Sequence, residues 1–351
     1  MSAISPHPGG ALVSGGILPK WAPYGVFLGA AALSAAVLAA AGSFSIGLTL
    51  VFGVLLACVA IYSWSRAVEG PRRAVDRVVT MAIASAFALA MIPLASLLFE
   101  VAKRGLPGLS LEFITDDARG VINGGGAAHA LVGTLVITGV ATIISVPIGI
   151  MAAIYLTEYG GGKLRRALTF FVDVMTGIPS IVAGLFAYAL FELFFGPGIR
   201  LGVMGSVALS VLMIPIVIRS AEEILKIVPN HLREAAYALG TPKWKTITKI
   251  VLPTAFAGLV TGVMIAIARI IGETAPLLVT TGVIDSINSD PFEGRMQNLA
   301  VYAYSEYRSP GVDKAASYER AWAAALLLIA IVMILNIVAR MVYRRYKTEI
   351  R

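Results

Sequence analysis

The chain has 351 residues, of which 58% are hydrophobic and only 14% charged, with a mean hydropathy of +0.84. A soluble chain carries roughly 25% charged residues to clothe its core, so this composition excludes an ordinary soluble enzyme, a disordered tail and a disulfide scaffold. It leaves an integral membrane protein. The net charge of +8 fits basic residues gathered on one side of a bilayer. No basic stretch interleaved with aromatics over a soluble domain points to nucleic acid.

A spanning helix needs about 20 mainly apolar residues. Eight segments meet that requirement, at about 23–42, 46–64, 78–99, 128–156, 168–195, 201–218, 247–271 and 321–342. They predict an all-α membrane protein of about eight spans. The first ends in Ala39-Ala40-Ala41, which resembles a signal-peptidase site. The apolar stretch before it is about 20 residues long, beyond a typical signal h-region, so an uncleaved anchor is expected. Cys58, the single cysteine, lies in the second apolar run and offers neither an internal disulfide nor a Cys-rich metal site. The basic stretch Ser65–Arg77, with Gly70-Pro71, divides an N-terminal two-helix hairpin (1–77) from a second domain (78–351).

Pro147 and Pro179 sit inside the segments 128–156 and 168–195 and predict tilted, kinked or broken helices. Two longer segments, 100–127 with Gly124-Gly125-Gly126 and the net acidic 272–320, are expected outside the cell. With the N-terminus in the cytoplasm, the cytoplasmic segments hold 19 of the 28 basic residues, the opposite side 8, and Arg269 lies within a span. That asymmetry predicts both termini inside.

Several chemistries are missing. Gly160-Gly161-Gly162-Lys163 is followed by Leu164 and reads as a turn, not a phosphate-cradling loop. The chain is therefore not expected to hydrolyse nucleotide. His7, His129 and His231 stand alone, and neither H-E-x-x-H nor G-x-S-x-G occurs, so an intramembrane hydrolase has no visible nucleophile and base.

The segment 219–246 is the most informative. Pro229-Asn230 suggests a helix start with Asn230 as cap, and Gly240 and Pro242 mark its end. The result is a short amphipathic helix with Leu232, Ala235, Ala236 and Leu239 on one face. Glu234-Ala235-Ala236, then Gly240, then Ile250-x-Leu252-Pro253 resembles the EAA signature of ABC-importer permeases. The resemblance implies a type I importer core of six helices in 78–351, with 219–246 as the coupling loop. Glu234, Ala235, Ala236 and Gly240 would dock on a cytoplasmic ATPase dimer that binds ATP and Mg, with no cofactor on this chain.

Two further stretches bear on substrate. Gly177-Ile178-Pro179-Ser180-Ile181-Val182-x-Gly184-Leu185 and Ala268-Arg269-Ile270-Ile271-Gly272-Glu273-Thr274-Ala275-Pro276-Leu277-Leu278 resemble phosphate-specific importer permeases, PstA-type more than PstC-type. The likeness spans about 75–351. It implies a prokaryotic plasma-membrane subunit working with a PstC-like second permease, an ATPase dimer and an extracytoplasmic phosphate-binding protein. Arg269, Glu273, Thr274 and Ser180 would line the pathway for inorganic phosphate.

Independently, a basic residue inside a span costs roughly 2.5–3.5 kcal/mol on insertion scales and belongs against protein or water. Arg269 therefore either meets an anion or forms a structural pair with Glu273, four residues on along one helical face. Gly177–Ser180 either breaks its span or kinks it, and Asp173 is read as a solvated or paired charge. Another oxyanion, such as sulfate or molybdate, and a non-transporting scaffold or sensor are the alternatives.

Overall fold

The structure, a computed structural model, describes residues 16–120 and 125–346, with side chains described up to Met341. His7, Gly124, Lys347 and Arg351 lie outside the described residues, as do the side chains of Arg344 and Arg345. Every regular element among the described residues is a helix, and contacts divide the chain into residues 1–99 and 100–351. Among the described residues seven helices are long and apolar enough to cross a membrane, and an eighth candidate is a pair bent by 108°.

The first unit holds α1 (Ala22–Ala40), α2 (Ile46–Val68) and most of α3 (Pro71–Gly108). Helices gain little from apolar burial when the solvent is itself hydrocarbon, so close approach through small residues drives their packing. Gly53 of α2 accordingly abuts Ala31 of α1, where a Cβ would lie 3.2 Å from the alanine Cα. Ser34 Oγ donates to the Thr49 carbonyl at 3.1 Å. The expected linker 65–77 is instead almost wholly helical, interrupted only at Glu69-Gly70, where Gly70 takes φ +89°. Pro71 opens α3, a first-turn position where its missing N–H costs nothing.

Glu69 ties this corner together. Its buried carboxylate accepts from Arg77 Nε and Nη2 at 2.5 and 2.7 Å, Ser65 Oγ at 2.7 Å and the Leu18 N–H at 2.8 Å. The Arg77 hydrogen bonds, aided by Ser65 and Leu18, outweigh burial and hold the carboxyl at about 2 instead of 4.5.

The second unit is built around α5 (Ala128–Ile154) and α8 (Gly202–Ile227). Ser206 Oγ donates to Ile137 O and Ser210 Oγ to Ala141 O, while Gly149 abuts Val217. Those pairings run in the same order along both helices, so α5 and α8 are parallel. The chain must return along the unit between them, and α6 (Gly162–Thr176) with α7 (Ser180–Phe195) supplies the return. The expected span 168–195 is thus two helices, separated at Gly177–Pro179. Gly177 caps α6, and Pro179 removes a donor and favours extended backbone before it. Pro147, by contrast, lies inside a continuous α5. Beyond Ile154 that helix widens into a π-helical turn, Tyr155–Tyr159.

The rest comprises α4 (Leu111–Thr115), α9 (Asn230–Ala238), α10 (Lys243–Thr246), a second π-helical turn (Ile247–Val251), α11 (Leu252–Ile270), α12 (Ala275–Thr280), α13 (Leu299–Arg308) and α14 (Lys314–Tyr346). The tail of α3 crosses α14 through glycine, with Gly105 facing Trp322 and Gly108 facing Glu319.

If Glu69 organises the first unit, Arg77→Ala should destabilise it by about 1.5–3 kcal/mol, the worth of hydrogen bonds to a charged group. Because the native carboxyl is depressed, its contribution is full above the ordinary value of 4.5 and is lost as pH falls toward about 2. Thermal unfolding of wild type and variant in detergent between pH 7 and pH 2 should show two curves that converge on acidification.

Candidate functional site

The depth of Arg269 follows from how α11 lies on α8. Gly262 packs against Ser220 and Gly258 against Ile224, so the helices are antiparallel and their register carries Arg269 level with Met213. Met213 is eleven residues along α8, or roughly 17 Å from its start at 1.5 Å per residue. The neighbouring Ile270 and Ala266 are buried with Met213 and Val217. Arg269 itself points away from its own unit. It is exposed, and it forms no ion pair or hydrogen bond among the described residues.

The Arg269–Glu273 pair, one of the two alternatives for Arg269, is not formed. α11 stops at Ile270, and the Glu273 N–H folds back onto the Ile270 carbonyl at 3.1 Å, so Glu273 leaves the helical face it was assigned to. Its carbonyl accepts from Asn298 Nδ2 at 3.3 Å. Thr274 is the residue before α12, half-buried, and its carbonyl accepts from the Leu278 N–H at 3.0 Å.

α12 lies across α7 on a face of small residues, Ala183, Gly184 and Ala187, all buried. At Gly184 a Cβ would sit 2.6 Å from Pro276 Cα and 2.9 Å from Pro276 O. The two motif stretches that the sequence set about ninety residues apart therefore meet backbone to backbone. Ser180 opens α7 one turn before Gly184 and is half-buried. Asp173, on α6, pairs with Arg219 of α8, which also bonds Glu222 at 2.9 Å.

The EAA stretch forms a second cluster at the opposite end of the unit. Its helix begins at Asn230 after Pro229, but Asn230 does not cap it. The Asn230 side-chain oxygen accepts from Arg233 Nη1 at 3.2 Å instead. The expected single apolar face is split, for Ala236 is buried and Leu232 half-buried while Glu234, Ala235 and Leu239 are exposed, Leu239 at 85%. Gly240 takes φ +73°, and the Thr241 and Gly240 N–H groups close the helix on Ala236 O and Tyr237 O at 3.1 and 2.9 Å. The expected loop from 219 is helical through Ile227, as the last turns of α8.

Residues 145–348 match the family of binding-protein-dependent transport system inner membrane components. The phosphate transport system permease protein PstA 1 of Mycobacterium tuberculosis is 45% identical over 275 residues, which is 77% of this chain and 89% of the relative. PstA of Mycobacterium leprae is 46% identical over 276 residues, covering 78% and 90%, and PstA of Yersinia pestis 41% over 257, covering 72% and 84%. This chain belongs to the PstA family of transport permeases. The fold is also that of a solved bacterial alginate ABC transporter (TM-score 0.53, 15% identity, covering 81% of this chain and 99% of that one).

For a PstA-family permease, the geometry adds residues that the motifs did not mark. Arg200 and Arg295 flank Gly282, whose Cβ position is 3.0 Å from Arg200 Cδ and 3.3 Å from Arg295 Cδ. Gly282 has φ +74°. Arg200 Nη1 donates to Leu278 O at 3.0 Å, and neither arginine has a carboxylate partner among the described residues. The two cations thus stand at the far end of α12 from Glu273. Only tertiary contact brings them together, and no spacing in the sequence announces it.

The Gly184–Pro276 contact makes a local test. Gly184→Val should overpack it and destabilise the chain by about 1–3 kcal/mol. Gly272→Ala enters open space and should stay within roughly 0.5 kcal/mol of wild type. Unfolding temperatures of both variants in detergent check the contrast.

Proposed function

We propose that this chain is a transmembrane permease subunit of an ATP-driven importer of inorganic phosphate, with α5, α7, α8, α11 and α12 framing one wall of the pathway. The observation that carries the reading is Arg269: a cation about half a bilayer deep, without an ion-pair partner among the described residues, in a permease of the PstA family. A guanidinium in that position must meet water, an anion or a partner protein. Its planar fork matches phosphate oxygens. The proposed pathway surface also includes Glu273, whose negative charge keeps a bound anion from being trapped, together with Thr274 and Ser180. Arg200 and Arg295 form a cationic approach at the other end of α12.

In the proposed complex a PstC-like second permease supplies the facing wall, and an extracytoplasmic binding protein delivers phosphate. Both termini of this chain are cytoplasmic, which sets α9 on the same side as the ATPase dimer. The exposed Glu234, Ala235, Tyr237 and Leu239 are the surface offered to it. ATP binding closes that dimer, moves α9 and opens the pathway outward; hydrolysis resets it. No covalent bond is made or broken on this chain.

Arg269→Lys keeps the charge but loses the fork, and phosphate uptake should fall about tenfold or more, the worth of a charge-assisted hydrogen bond. Arg269→Ala should abolish uptake while the subunit still inserts and assembles. Because Arg269 and Glu273 are not paired, removing both should not restore it. Radiolabelled phosphate uptake with membrane abundance measured in parallel decides the matter, and near-normal uptake by the double variant would return Arg269 to a structural role.

At the other end, Gly240→Val meets no steric obstacle but forces a β-branched residue to positive φ. Together with the charge reversal Glu234→Lys, it should stop uptake without preventing insertion. ATP-dependent uptake unchanged in either variant contradicts the docking role of α9.

A further inference from the structure

Arg233 lies on α9, one residue before the exposed Glu234, yet its guanidinium turns inward. It donates to Leu225 O and Val228 O at the end of α8, at 3.0 and 2.6 Å, and to Glu158 Oε1 from Nη2 and Nε at 2.7 and 3.0 Å. The Glu158 side chain is 5% exposed and that of Arg233 14%. Glu158 belongs to the π-helical turn that ends α5. Lys243, on the far side of Gly240, reaches the same turn and stacks 4.9 Å above the Tyr159 ring. Gly160 closes the turn where a Cβ would be 2.6 Å from Leu156 O. Both flanks of the EAA turn therefore grip the end of a helix that is not their neighbour in sequence.

A buried ion pair contributes little net stability, because desolvation offsets its attraction; its best-attested use is to fix register. π-helical turns likewise gather at functional positions. The opposite end of α5 is held just as specifically. Thr134 Oγ1 accepts the Leu299 N–H at 2.8 Å, and Gly133 is so close to Gln297 O that a Cβ would lie 2.0 Å away. The adjoining Asn298 is the residue whose side chain donates to Glu273 O. α5 has 27 residues and is roughly 40 Å long. It is clamped to α9 at one end and to the support of the Glu273 turn at the other.

We propose that α5 is a strut that transmits displacement of α9 to the Glu273–Thr274 turn, with Arg233–Glu158 as its drive link and Thr134–Leu299 as its output link. This rests on the reading of α9 as the element moved by the ATPase. Cutting either link leaves docking and hydrolysis intact but lets the pathway turn slip.

The test is phosphate transported per ATP hydrolysed by the whole importer in proteoliposomes, with phosphate-loaded binding protein supplied. Glu158→Gln and Thr134→Val should each lower that ratio about tenfold or more, the worth of a hydrogen bond to a charged or buried group, with ATP hydrolysis and co-purification of the ATPase retained. Their double variant should be no worse than the weaker single, since a strut cut once transmits nothing more to lose. Arg233→Lys, which keeps charge but loses the fork, provides the drive-end measurement if Glu158→Gln does not insert. A wild-type ratio in well-inserted single variants, or losses that multiply in the double, overturns the strut. Glu234→Lys run alongside separates the readings: if it too transports normally, the docking role of α9 fails first.

Discussion

On the proposed reading, holding the Arg269 guanidinium about half a bilayer deep costs roughly 2.5–3.5 kcal/mol on insertion scales, and among the described residues no carboxylate pairs with it to offset that cost. The packing around it keeps the charge at the surface of the unit instead. Ala266 and Ile270 anchor α11 to α8 on one side, leaving Arg269 on the other. Directly after it the chain stops being helical, so Glu273 cannot fold back as a salt-bridge partner along α11. On the proposed reading, the unmet charge is what draws an anion through the pathway.

The same constraint explains the small residues. α12 follows the end of α11 and must lie close against α7 and α8. Gly184 opens room for Pro276, while Gly205 opens room for Leu277 and Thr281. With no hydrophobic drive between helices in lipid, such close backbone approach is the available source of packing energy. A glycine replaced there moves α12, and with it both the Glu273 turn and the arginines beside Gly282.

Hydropathy made the spans legible to within a few residues; α1 at Ala22–Ala40 against an expected 23–42 is representative. It underestimated α3, α8 and α14, because their polar ends continue as helix beyond the apolar window. It merged α6 and α7, since a window sums apolar residues without registering the 108° bend at Gly177–Pro179. The Glu273 pairing failed for a related reason: four-residue spacing implies one face only while the helix continues, and Gly272 and Pro276 lie where it ends. The Gly240 turn was readable because positive φ has a strong residue preference. The Arg233–Glu158 link and the Arg200–Arg295 pairing were not, since each depends on how distant segments pack.

The central claim is that Arg269 faces a water-filled path that phosphate enters. Its most direct test is thiol accessibility beside the intact Arg269 in the assembled importer, with the single native cysteine replaced (Cys58→Ser) and Gly272→Cys introduced in open space three residues on. The account predicts rapid reaction with a small, membrane-impermeant anionic thiol reagent, slowed when phosphate-loaded binding protein and ATP are supplied. A cysteine that reacts only with a lipid-soluble reagent, or at a rate phosphate does not change, would contradict it.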